Sequence, residues 1–416
     1  MEFQIKGPDI HNNWIVGKMD KSSEMSLLGH VVVITGDYPA PDHINMVFVQ
    51  QLVDTMIDQG VNITVIAPQS IVHSIVHNER ILPQKSYLKT TNDNRYEIYR
   101  PYIITIGNSR FFSSVIRWWN RKKVNKLLKV IKPDVLYAHF WSSALYVNTF
   151  ALCHKIPLFV ACGEGDNALE EMMTTLSSKE LKRLTSVVAG VISVSSVNKR
   201  KCIDYHLAKD NKIGVFPNCV DTSIFRPLDK TNCRSKLGLG EDDFIIAFVG
   251  GFNHRKGPDR LAQAISLIKE PTIKVMFIGK PFPGYPLCFN CPGIVYKGPV
   301  GHDDLPFYLN AADVFVLPTL KEGCCNAIVE ALSVGLPVIS SNGAFNDDIL
   351  DEKNSIRISP NDIQAIKDAI IKLKNNTLLR DKMRKVSIRR HLSYSVKGRA
   401  QRIIDFLIKN LTMNAE

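Results

Sequence analysis

Two glutamates, Glu322 and Glu330, lie eight residues apart within the stretch VFVLPTLKEGCCNAIVEALSVGLPVISS, residues 314–341. A carboxylate accepts hydrogen bonds from sugar hydroxyls, and the backbone N–H groups at a helix N-terminus hold phosphate oxygens. A nucleotide-sugar offers both kinds of group. On spacing alone a second interpretation stays open, in which Glu322 is a charge on a loop and Glu330 is favoured by the positive end of the helix dipole.

The elements that must position these glutamates form a strand–loop–helix–strand unit. Val314–Leu317 and Val338–Ser341 are short apolar runs of the kind that is buried in parallel sheets. Between them, Asn326 is predicted to cap a helix, and Gly335 is predicted to end it. Because ligands bind open α/β sheets at the carboxyl edge of the strands, this unit predicts a ligand site beside the two glutamates.

Four motifs along the chain resemble those of one enzyme family. The stretch EGCCNAIVE (322–330) resembles the E-x7-E signature of the retaining GT-B glycosyltransferases of family 4, also called glycosyl transferases group 1. Three further stretches resemble other motifs of that family: PDVLYAHFW (133–141), VFPNCVDTSIFRP (215–227) and FVGGFNHRKGPDRLAQAI (248–265). They follow the family's order and cover roughly residues 30–410.

The resemblance implies an α/β fold of GT-B architecture, with two Rossmann-like domains facing across a cleft. We expect an N-terminal extension over residues 1–27 and an acceptor domain over residues 28–216. A nucleotide-sugar donor domain is expected over residues 217–392, and a helix over residues 393–416 should return to the acceptor domain. The implied reaction is transfer of a hexosyl unit from a UDP- or GDP-sugar to a hydroxyl acceptor, with retention at the anomeric carbon. We expect no cofactor and no metal, because protein cations and helix N-termini can stabilise the leaving diphosphate.

The same resemblance implies roles for the residues around the two glutamates. Glu322 is expected to hydrogen-bond the donor sugar, and Glu330 is expected to bind the ribose hydroxyls. The backbone that follows Glu322 is expected to face the sugar and the phosphates, at Gly323, Cys324, Cys325 and Asn326.

A glycine pair and a pair of cations follow the predicted strand Phe244–Val249. Gly250 and Gly251 come directly after this strand, and Arg255 and Lys256 stand a few residues further on. Family members commonly carry arginine at the position of Gly251 and lysine at that of Lys256. We expect Arg255 to bind the donor diphosphate bidentately and Lys256 to bind it as a point charge. The alternative is that both are surface charges ahead of the next helix.

The acceptor side of the cleft is predicted from two further stretches. His139 follows a buried strand and matches the second histidine of the family's "HaH", for which the resemblance implies contact with the donor sugar or the acceptor. The segment CGEGD takes the place of the family's "HGsD", so Glu164 or Asp166 could meet an acceptor hydroxyl. The alternative is that these residues have structural roles only.

Length and charge restrict the class of protein further. A chain of 416 residues is too long for one core and suits two α/β domains. The net charge of +12 indicates anionic partners, such as nucleotide-sugars, anionic lipid headgroups or nucleic acid. The basic residues are not interleaved with stacking aromatics and do not follow a helix-turn-helix or zinc-finger frame, so nucleic acid is not expected as a partner.

The nine cysteines are scattered and odd in number, which suits a reducing cytosol better than a disulfide framework. Cys288 and Cys291 form a single CxxC without a partner pair, which does not predict a zinc site. The first residues lack the apolar segment of a signal peptide. The expected location is therefore cytoplasmic, with the inner face of the membrane as a peripheral site.

The segment Arg110–Lys132 carries eight basic residues and no acidic residue. Trp118 and Trp119 stand near its start, and an apolar face follows at helical spacing, at Val124, Leu127, Leu128 and Ile131. A basic amphipathic helix with aromatic residues can lie on an anionic membrane. The alternative is a helix that packs its apolar face on a sheet and exposes a basic face to water.

Two other classes of function stay open at this point. A relative of the GT-B glycosyltransferases could be a sugar-nucleotide epimerase or a phosphorylase, which binds similar ligands but transfers no sugar to a hydroxyl acceptor. A non-enzymatic protein could bind anions or nucleic acid through its net charge alone. Such a protein should bind RNA with a steep salt dependence and ignore nucleotide-sugars.

Overall fold

The computed structural model describes residues 26–40, 46–104, 110–164, 168–282 and 289–413, without the side chains of residues 110–115 and 117. Nearly all of the expected N-terminal extension lies outside these ranges. The candidate acceptor residue Asp166 and the first cysteine of the CxxC pair, Cys288, also lie outside the described residues.

The first half of the chain forms one eight-stranded sheet with helices on both faces, and a separate pair of short strands. Its strands are β1 His30–Ile34, β2 Asn62–Ile66, β3 Gln69–Ser70, β4 Lys85–Lys89, β5 Arg95–Tyr99, β6 Tyr102–Ile103, β7 Val135–His139, β8 Leu158–Cys162, β9 Val188–Ser193 and β10 Ile213–Val215. Its helices are α1 Val47–Asp58, α2 Ile71–Val76, α3 Arg110–Ile131, α4 Trp141–His154, α5 Ala168–Thr175, α6 Ser178–Val187 and α7 Ser196–Asp204.

The strand order of this sheet is β10-β9-β8-β7-β1-β2-β5-β4, and β3 pairs separately with β6. All neighbours are parallel except β4 and β5. Strand β1 lies inside the sheet, and later strands are added on both sides of it. The direction of the connections therefore reverses between β1 and β7. A crevice opens at such a reversal, outside the carboxyl ends of the two strands.

The second half repeats this arrangement with six strands. They are β11 Phe244–Val249, β12 Ile273–Ile278, β13 Ile294–Gly298, β14 Val314–Leu317, β15 Val338–Ser341 and β16 Ser355–Ile358. The helices are α8 Lys230–Lys236, α9 Pro258–Ser266, α10 Leu305–Ala311, α11 Asn326–Ser333, α12 Ile363–Asn375, α13 Thr377–Arg389 and α14 Val396–Met413. The order β13-β12-β11-β14-β15-β16 is parallel throughout and reverses between β11 and β14.

The strands form where the sequence has short β-branched runs, because both faces of a parallel sheet are covered. In β1, Val31 and Val33 face the core shared with α1 and α14. Val32 and Ile34 face the opposite core, which is shared with α3 and α4. The predicted strands Val314–Leu317 and Val338–Ser341 are confirmed with the same bounds.

Helix α11 differs from the prediction at its start. Cys325 is its N-cap residue and Asn326 is its first helical residue, so the expected cap at Asn326 is wrong. The physical reason is a competing partner, because the Asn326 side chain accepts a hydrogen bond from Asn218 at 2.8 Å. The predicted stop is confirmed: Gly335 follows the helix with φ +89°, a conformation that favours glycine.

Helix α14 returns from the second sheet to the first. Ala400, Ile403 and Leu407 are fully buried in the core beside α1. At its start, the N–H of Val396 donates to the Val220 carbonyl at 3.2 Å, so the helix is anchored on the chain that links the two sheets.

Helix α3 decides between the two interpretations of its apolar face. Val124 and Leu128 are fully buried in the core of the first sheet, and Leu127 and Ile131 pack against it. The apolar face therefore covers the sheet, while Trp118 and Trp119 are about half exposed. None of the helices in the described ranges combines the length and the apolar character needed to span a bilayer.

Candidate active site

The candidate residues of the donor site lie at the reversal point of the second sheet. Gly250 and Gly251 follow β11, and Glu322 stands in the loop after β14, the neighbouring parallel strand. Their position follows from topology, since the carboxyl ends of adjacent parallel strands meet at one edge. His139 ends β7 at the equivalent reversal point of the first sheet.

Glu322 is the centre of a buried cluster of charges. Its Oε1 lies 2.7 Å from the Lys256 Nζ, and its Oε2 lies 3.1 Å from the Arg255 guanidinium. The Thr319 hydroxyl also donates to Oε1 at 2.7 Å. The Glu322 side chain is only 8% exposed and that of Lys256 14%, so this pair is shielded from water. The three charged residues that were expected at the donor are therefore in direct contact with one another.

Lys256 stays charged in this cluster. Burial acts to lower the pKa of Lys256, but the adjacent Cys325 and Glu322 outweigh it and hold the pKa above its usual value. The Cys325 Sγ lies 3.7 Å from the Lys256 Nζ. On the other side, the lysine stem passes Gly250, where a Cβ would lie 3.4 Å from it, in ordinary van der Waals contact. The lysine has a positive charge to offer an anion.

The loop that carries Arg255 and Lys256 is fixed by a second arginine. Arg260, buried in α9, donates to the Pro318 carbonyl at 2.7 Å and to the His254 carbonyl at 2.9 Å. The N–H of Leu320 donates to the Arg255 carbonyl at 2.8 Å. The cation loop and the Glu322 loop are therefore held together through their backbones, which keeps the charged cluster in register.

The loop after Glu322, residues 323–325, is the candidate donor loop, called the donor loop below. It is bound by the chain that links the two sheets. Asn218 donates from its side chain to the Cys324 carbonyl at 3.0 Å, and its N–H points to the Cys324 Sγ at 3.3 Å. A Cβ on Gly323 would lie 3.6 Å from the Gly163 carbonyl oxygen of the first sheet. Asn218 was not among the predicted site residues, although it belongs to the quoted motif VFPNCVDTSIFRP.

Glu330 lies one to two turns into α11 and faces a histidine from the loop after β13. Its Oε1 is 3.8 Å from the His302 Nε2, and its side chain is 11% exposed. The neighbouring Glu330 carboxylate is the main cause that raises the pKa of His302, against the effect of partial burial. Glu322 and Glu330 thus occupy separate surroundings: the first is held by two cations and the second meets one titratable histidine.

His139 is buried among aromatic rings. Its ring centroid lies 4.4 Å from that of Phe140 and 5.4 Å from that of Phe48. Burial is the main cause that lowers the pKa of His139, to about 3, and the charge of Arg399 adds to it. The imidazole is therefore neutral at physiological pH. Neither of its ring nitrogens has a hydrogen-bond partner among the described residues, which is uncommon for buried polar atoms.

Glu164 has a structural bond and a free oxygen. Its Oε1 accepts from the backbone N–H of Trp141 at 2.6 Å, at the first residue of α4. Its Oε2 is buried and has no partner within the described ranges. Burial raises the pKa of Glu164. The carboxyl group thus helps to hold the start of α4 beside His139 and leaves one oxygen for another group.

The described residues contain no group of three or more His, Cys, Asp or Glu side chains that could hold a metal ion. The positive charges beside Glu322 are those of Lys256 and Arg255. The thiols beside them are weak acids, since burial raises the pKa of Cys325 and raises that of Cys324 to about 12.

Two family models together match most of the chain. The model of the glycosyl transferases group 1 matches residues 229–390, which include Glu322, Lys256 and Arg255. The model of glycosyltransferase family 4 matches residues 47–224, which include His139 and Glu164.

Curated relatives agree with this assignment. TuaC of Bacillus subtilis, a glycosyltransferase named for teichuronic acid biosynthesis, is 26% identical over 357 residues, which are 80% of this chain and 85% of TuaC. An Escherichia coli UDP-Gal:α-D-GlcNAc-diphosphoundecaprenol α-1,3-galactosyltransferase is 29% identical over 276 residues, covering 61% of this chain and 70% of that protein.

Solved structures show the same fold. Sucrose-phosphate synthase of Thermosynechococcus elongatus superposes with a TM-score of 0.69 at 15% identity, over 93% of this chain and all of that one. HepE of Anabaena, solved with UDP, superposes with a TM-score of 0.67 at 14% identity, over 91% of this chain and 99% of that one. The two sheets therefore form a GT-B fold, and the chain belongs to the glycosyltransferases of family 4, the glycosyl transferases group 1, and is a transferase.

Proposed function

We propose that this glycosyltransferase moves a hexosyl unit from a UDP- or GDP-sugar to a hydroxyl acceptor, with retention at the anomeric carbon, in the synthesis of a surface polysaccharide or glycolipid. The names of the relatives support the pathway class, since they refer to teichuronic acid and to a diphosphoundecaprenol acceptor. The observation that carries the donor class is the buried cluster of Glu322, Lys256 and Arg255 at the reversal point of the second sheet.

In this proposal the donor diphosphate binds to Arg255 and Lys256 and to the N-terminus of α11. Lys256 has three N–H donors and Arg255 has five, so each can keep a bond to Glu322 while it binds phosphate oxygens. The same groups stabilise the charge that develops on the leaving diphosphate, and the reaction then requires no metal ion. Addition of a chelator should leave the rate unchanged.

Two properties of the site support retention by attack from the face of the leaving group. Both oxygens of Glu322 are bound by cations, which makes this carboxylate a poor nucleophile. His139 is too weakly basic to take the acceptor proton, because its pKa is lowered to about 3. A leaving phosphate oxygen then accepts the proton of the acceptor hydroxyl, while Glu322 hydrogen-bonds the sugar.

A membrane partner is proposed for the exposed surface near the start of α3. Trp118 and Trp119 are exposed, and Lys122 and Lys123 lie over their rings at 3.8 and 5.7 Å. Val76 of α2 is also exposed, at 70%. Exposed aromatic rings with basic groups beside them suit an anionic leaflet. We therefore place the enzyme in the cytoplasm, on the inner face of the membrane.

The proposed donor is tested by thermal unfolding with UDP, GDP, ADP and TDP, because a ligand that binds the folded state raises the midpoint. A rise with UDP or GDP that Glu330→Ala removes supports the site and names the base. No rise with any of the four, or a rise that Glu330→Ala leaves unchanged, contradicts it. NMR of the product then reports the anomeric configuration, and an inverted product contradicts retention.

The membrane partner is tested with vesicles. The chain should sediment with phosphatidylglycerol vesicles and not with phosphatidylcholine vesicles, and Trp118→Ser with Trp119→Ser should reduce this binding. Tyr87→Ser, which removes an exposed aromatic residue of β4, is the matched control. Equal binding of both vesicle types, or an equal loss in the control, contradicts the proposal.

A further inference from the structure

Arg399 is a buried cation at the junction of the two domains. It lies in the first turn of α14 and is 6% exposed. Its Nε donates to the Phe216 carbonyl at 3.3 Å, on the chain that links the two sheets. The same linking segment carries Asn218, which binds the donor loop through Cys324. The guanidinium thus stands where the linker, the returning helix and the donor loop meet.

The charge of Arg399 has no counter-ion in the described part of the chain. No carboxylate there lies within 4.0 Å of its guanidinium. Arg234, which is as deeply buried, pairs with Asp313 at 2.8 Å and donates to three backbone carbonyls as well. A charge that is removed from water without a partner is costly, so a buried and unpaired guanidinium is expected to meet an anion that comes from outside the chain.

The surroundings of Arg399 place this anion in the cleft. Phe216, which accepts the bond from Arg399, donates its own N–H at 2.7 Å to the carbonyl of Ser193, the last residue of β9. The guanidinium therefore lies at the carboxyl edge of the first sheet, the edge at which His139 ends β7. The Asp348 carboxylate, which acts on Cys324, is occupied elsewhere, because it accepts from the Ser196 N–H at 2.7 Å and from its hydroxyl at 2.5 Å.

Unsatisfied polar atoms lie on the face of the first sheet that α14 covers. Both ring nitrogens of His139 and the Tyr137 hydroxyl are buried without partners among the described residues. Tyr137 and His139 alternate along β7 and so point to one face of the sheet, the face that α14 covers. A neutral imidazole and a hydroxyl each supply one hydrogen-bond donor, and the guanidinium adds a fork that matches a carboxylate or a phosphate.

We propose that Arg399, together with His139, forms a subsite for an oxyanion that is carried by one of the sugars of the reaction. The group is a carboxylate, as in a hexuronosyl unit, or a phosphate ester. This inference rests on the proposed function, because it takes Arg255 and Lys256 as the partners of the donor diphosphate. A neutral sugar at this position leaves the buried cation unpaired and therefore binds less tightly than the anionic sugar.

The oxyanion could belong to the transferred sugar or to the acceptor, and binding measurements on the full chain distinguish these two sources. UDP-glucuronate is compared with UDP-glucose, with GDP-mannuronate and GDP-mannose as the second pair. Tighter binding of the uronate donor assigns the oxyanion to the transferred sugar. Free glucuronate and glucose 6-phosphate are then compared with glucose on the protein saturated with the neutral donor. Stabilisation by the anionic sugars in this second arm assigns the oxyanion to the acceptor.

Three variants show whether Arg399 is responsible. Arg399→Gln should remove the preference for the anionic sugar, by about ten- to hundred-fold in affinity, and Arg399→Lys should keep part of it. Lys397→Gln, which removes an exposed charge two residues earlier on the same helix, should keep all of it. Equal binding of anionic and neutral sugars by the wild type, or an unchanged preference in Arg399→Gln, overturns the proposal.

Two measurements distinguish the subsite from a purely structural role of Arg399: the stability of the unliganded variant and its affinity for UDP alone. Because no carboxylate of the described chain depends on Arg399, unliganded Arg399→Gln should unfold within the range of Lys397→Gln. A lower midpoint together with an unchanged sugar preference contradicts the subsite. Binding of UDP alone should be unchanged in Arg399→Gln, and an equal loss for UDP, UDP-glucose and UDP-glucuronate overturns the assignment to a sugar. Failure of the proposed function is distinct, since then no nucleotide binds to the wild type at all.

Discussion

The buried cluster of Glu322, Lys256 and Arg255 is called the donor cluster below. Replacement of Glu322 by glutamine separates the contribution of this cluster to stability from its role in transfer. The change removes the negative charge between Lys256 and Arg255 but keeps the shape of the side chain. Lys256 is 14% exposed and 2.7 Å from the carboxylate, so it is left as a buried charge with no partner of opposite sign in the cluster. Loss of one partner of a buried ion pair costs about 3–5 kcal/mol of folding free energy. Arg255, at 38% exposed, adds little, because water can take the place of the carboxylate.

We therefore expect Glu322→Gln to lower the unfolding free energy of the unliganded chain by about 3 kcal/mol. A nucleoside diphosphate restores negative charge beside the cations, so UDP or GDP should stabilise this variant at least as strongly as the wild type. Transfer should nevertheless fall by about a hundred-fold, because the group that holds the donor sugar is changed. Chemical denaturation with and without nucleotide, together with initial rates, measures all three quantities.

The matched control is Glu97→Gln. Glu97 lies 2.7 Å from Lys85, the same distance as in the donor cluster, but the two side chains are 38% and 41% exposed. An exposed pair contributes about 0–1 kcal/mol, so this variant should unfold almost as the wild type does. Equal destabilisation in the two variants would refute the reasoning from burial. A Glu322→Gln variant that loses nucleotide binding while its unliganded stability is unchanged would refute the assignment of the cations to the diphosphate.

Four further results are expected from single positions. Glu330→Ala should weaken nucleotide binding by about ten- to hundred-fold in calorimetry through loss of a charged hydrogen bond, and equal affinity would exclude the ribose role. Glu330 raises the pKa of His302, and the protonated His302 pairs with Glu330 at low pH. Because loss of that proton releases Glu330 for the ribose hydroxyls, nucleotide affinity should increase as the pH rises through the pKa of His302. His302→Gln should remove this pH dependence. Burial raises the pKa of Asp54 to about 6, so the folded chain loses stability as the pH rises from about 4 to 6. In urea unfolding at pH 7, Asp54→Asn should therefore be more stable than the wild type. This gain in stability should vanish near pH 4. Iodoacetamide should label Cys324 and Cys325 slowly at neutral pH, because their pKa values are raised, and rapid labelling in mass spectrometry would contradict their burial.

The sequence predicts those parts of the molecule that depend on local patterns. The strands β14 and β15 have their predicted bounds because each is a β-branched run that is covered on both faces. Other boundaries depend on backbone conformation: α7 ends at Asp204 and a short 3₁₀ turn follows at Asp210–Lys212. Tyr205 ends the helix there, and His206 takes a left-handed conformation with φ +54° that no residue pattern announces.

The parts that the sequence does not predict depend on contacts between distant segments. Asn326 has the composition of a helix cap, but a side chain 108 residues earlier in the chain binds it and moves the cap to Cys325. Arg399 lies in an amphipathic helix whose pattern predicts packing and nothing more. Its place beside Phe216 at the carboxyl edge of the first sheet arises only because the chain crosses twice between the two sheets. Spacing can locate Glu322 and Glu330, since both belong to one strand–helix unit, but it cannot locate a residue that arrives from the other end of the fold.

The distribution of charge explains why the donor cluster and Arg399 should act differently on a substrate. At the donor cluster, Glu322 already compensates Lys256 and Arg255, so the diphosphate enters a site that is preorganised and partly neutralised. At the junction, Arg399 has no such compensation among the described residues. Nucleotide binding therefore exchanges one set of ion partners for another, whereas an anionic sugar would satisfy a charge that was unpaired before. Specificity for the sugar then resides in the residue without a partner, because the cost of leaving it unpaired falls only on the neutral competitor.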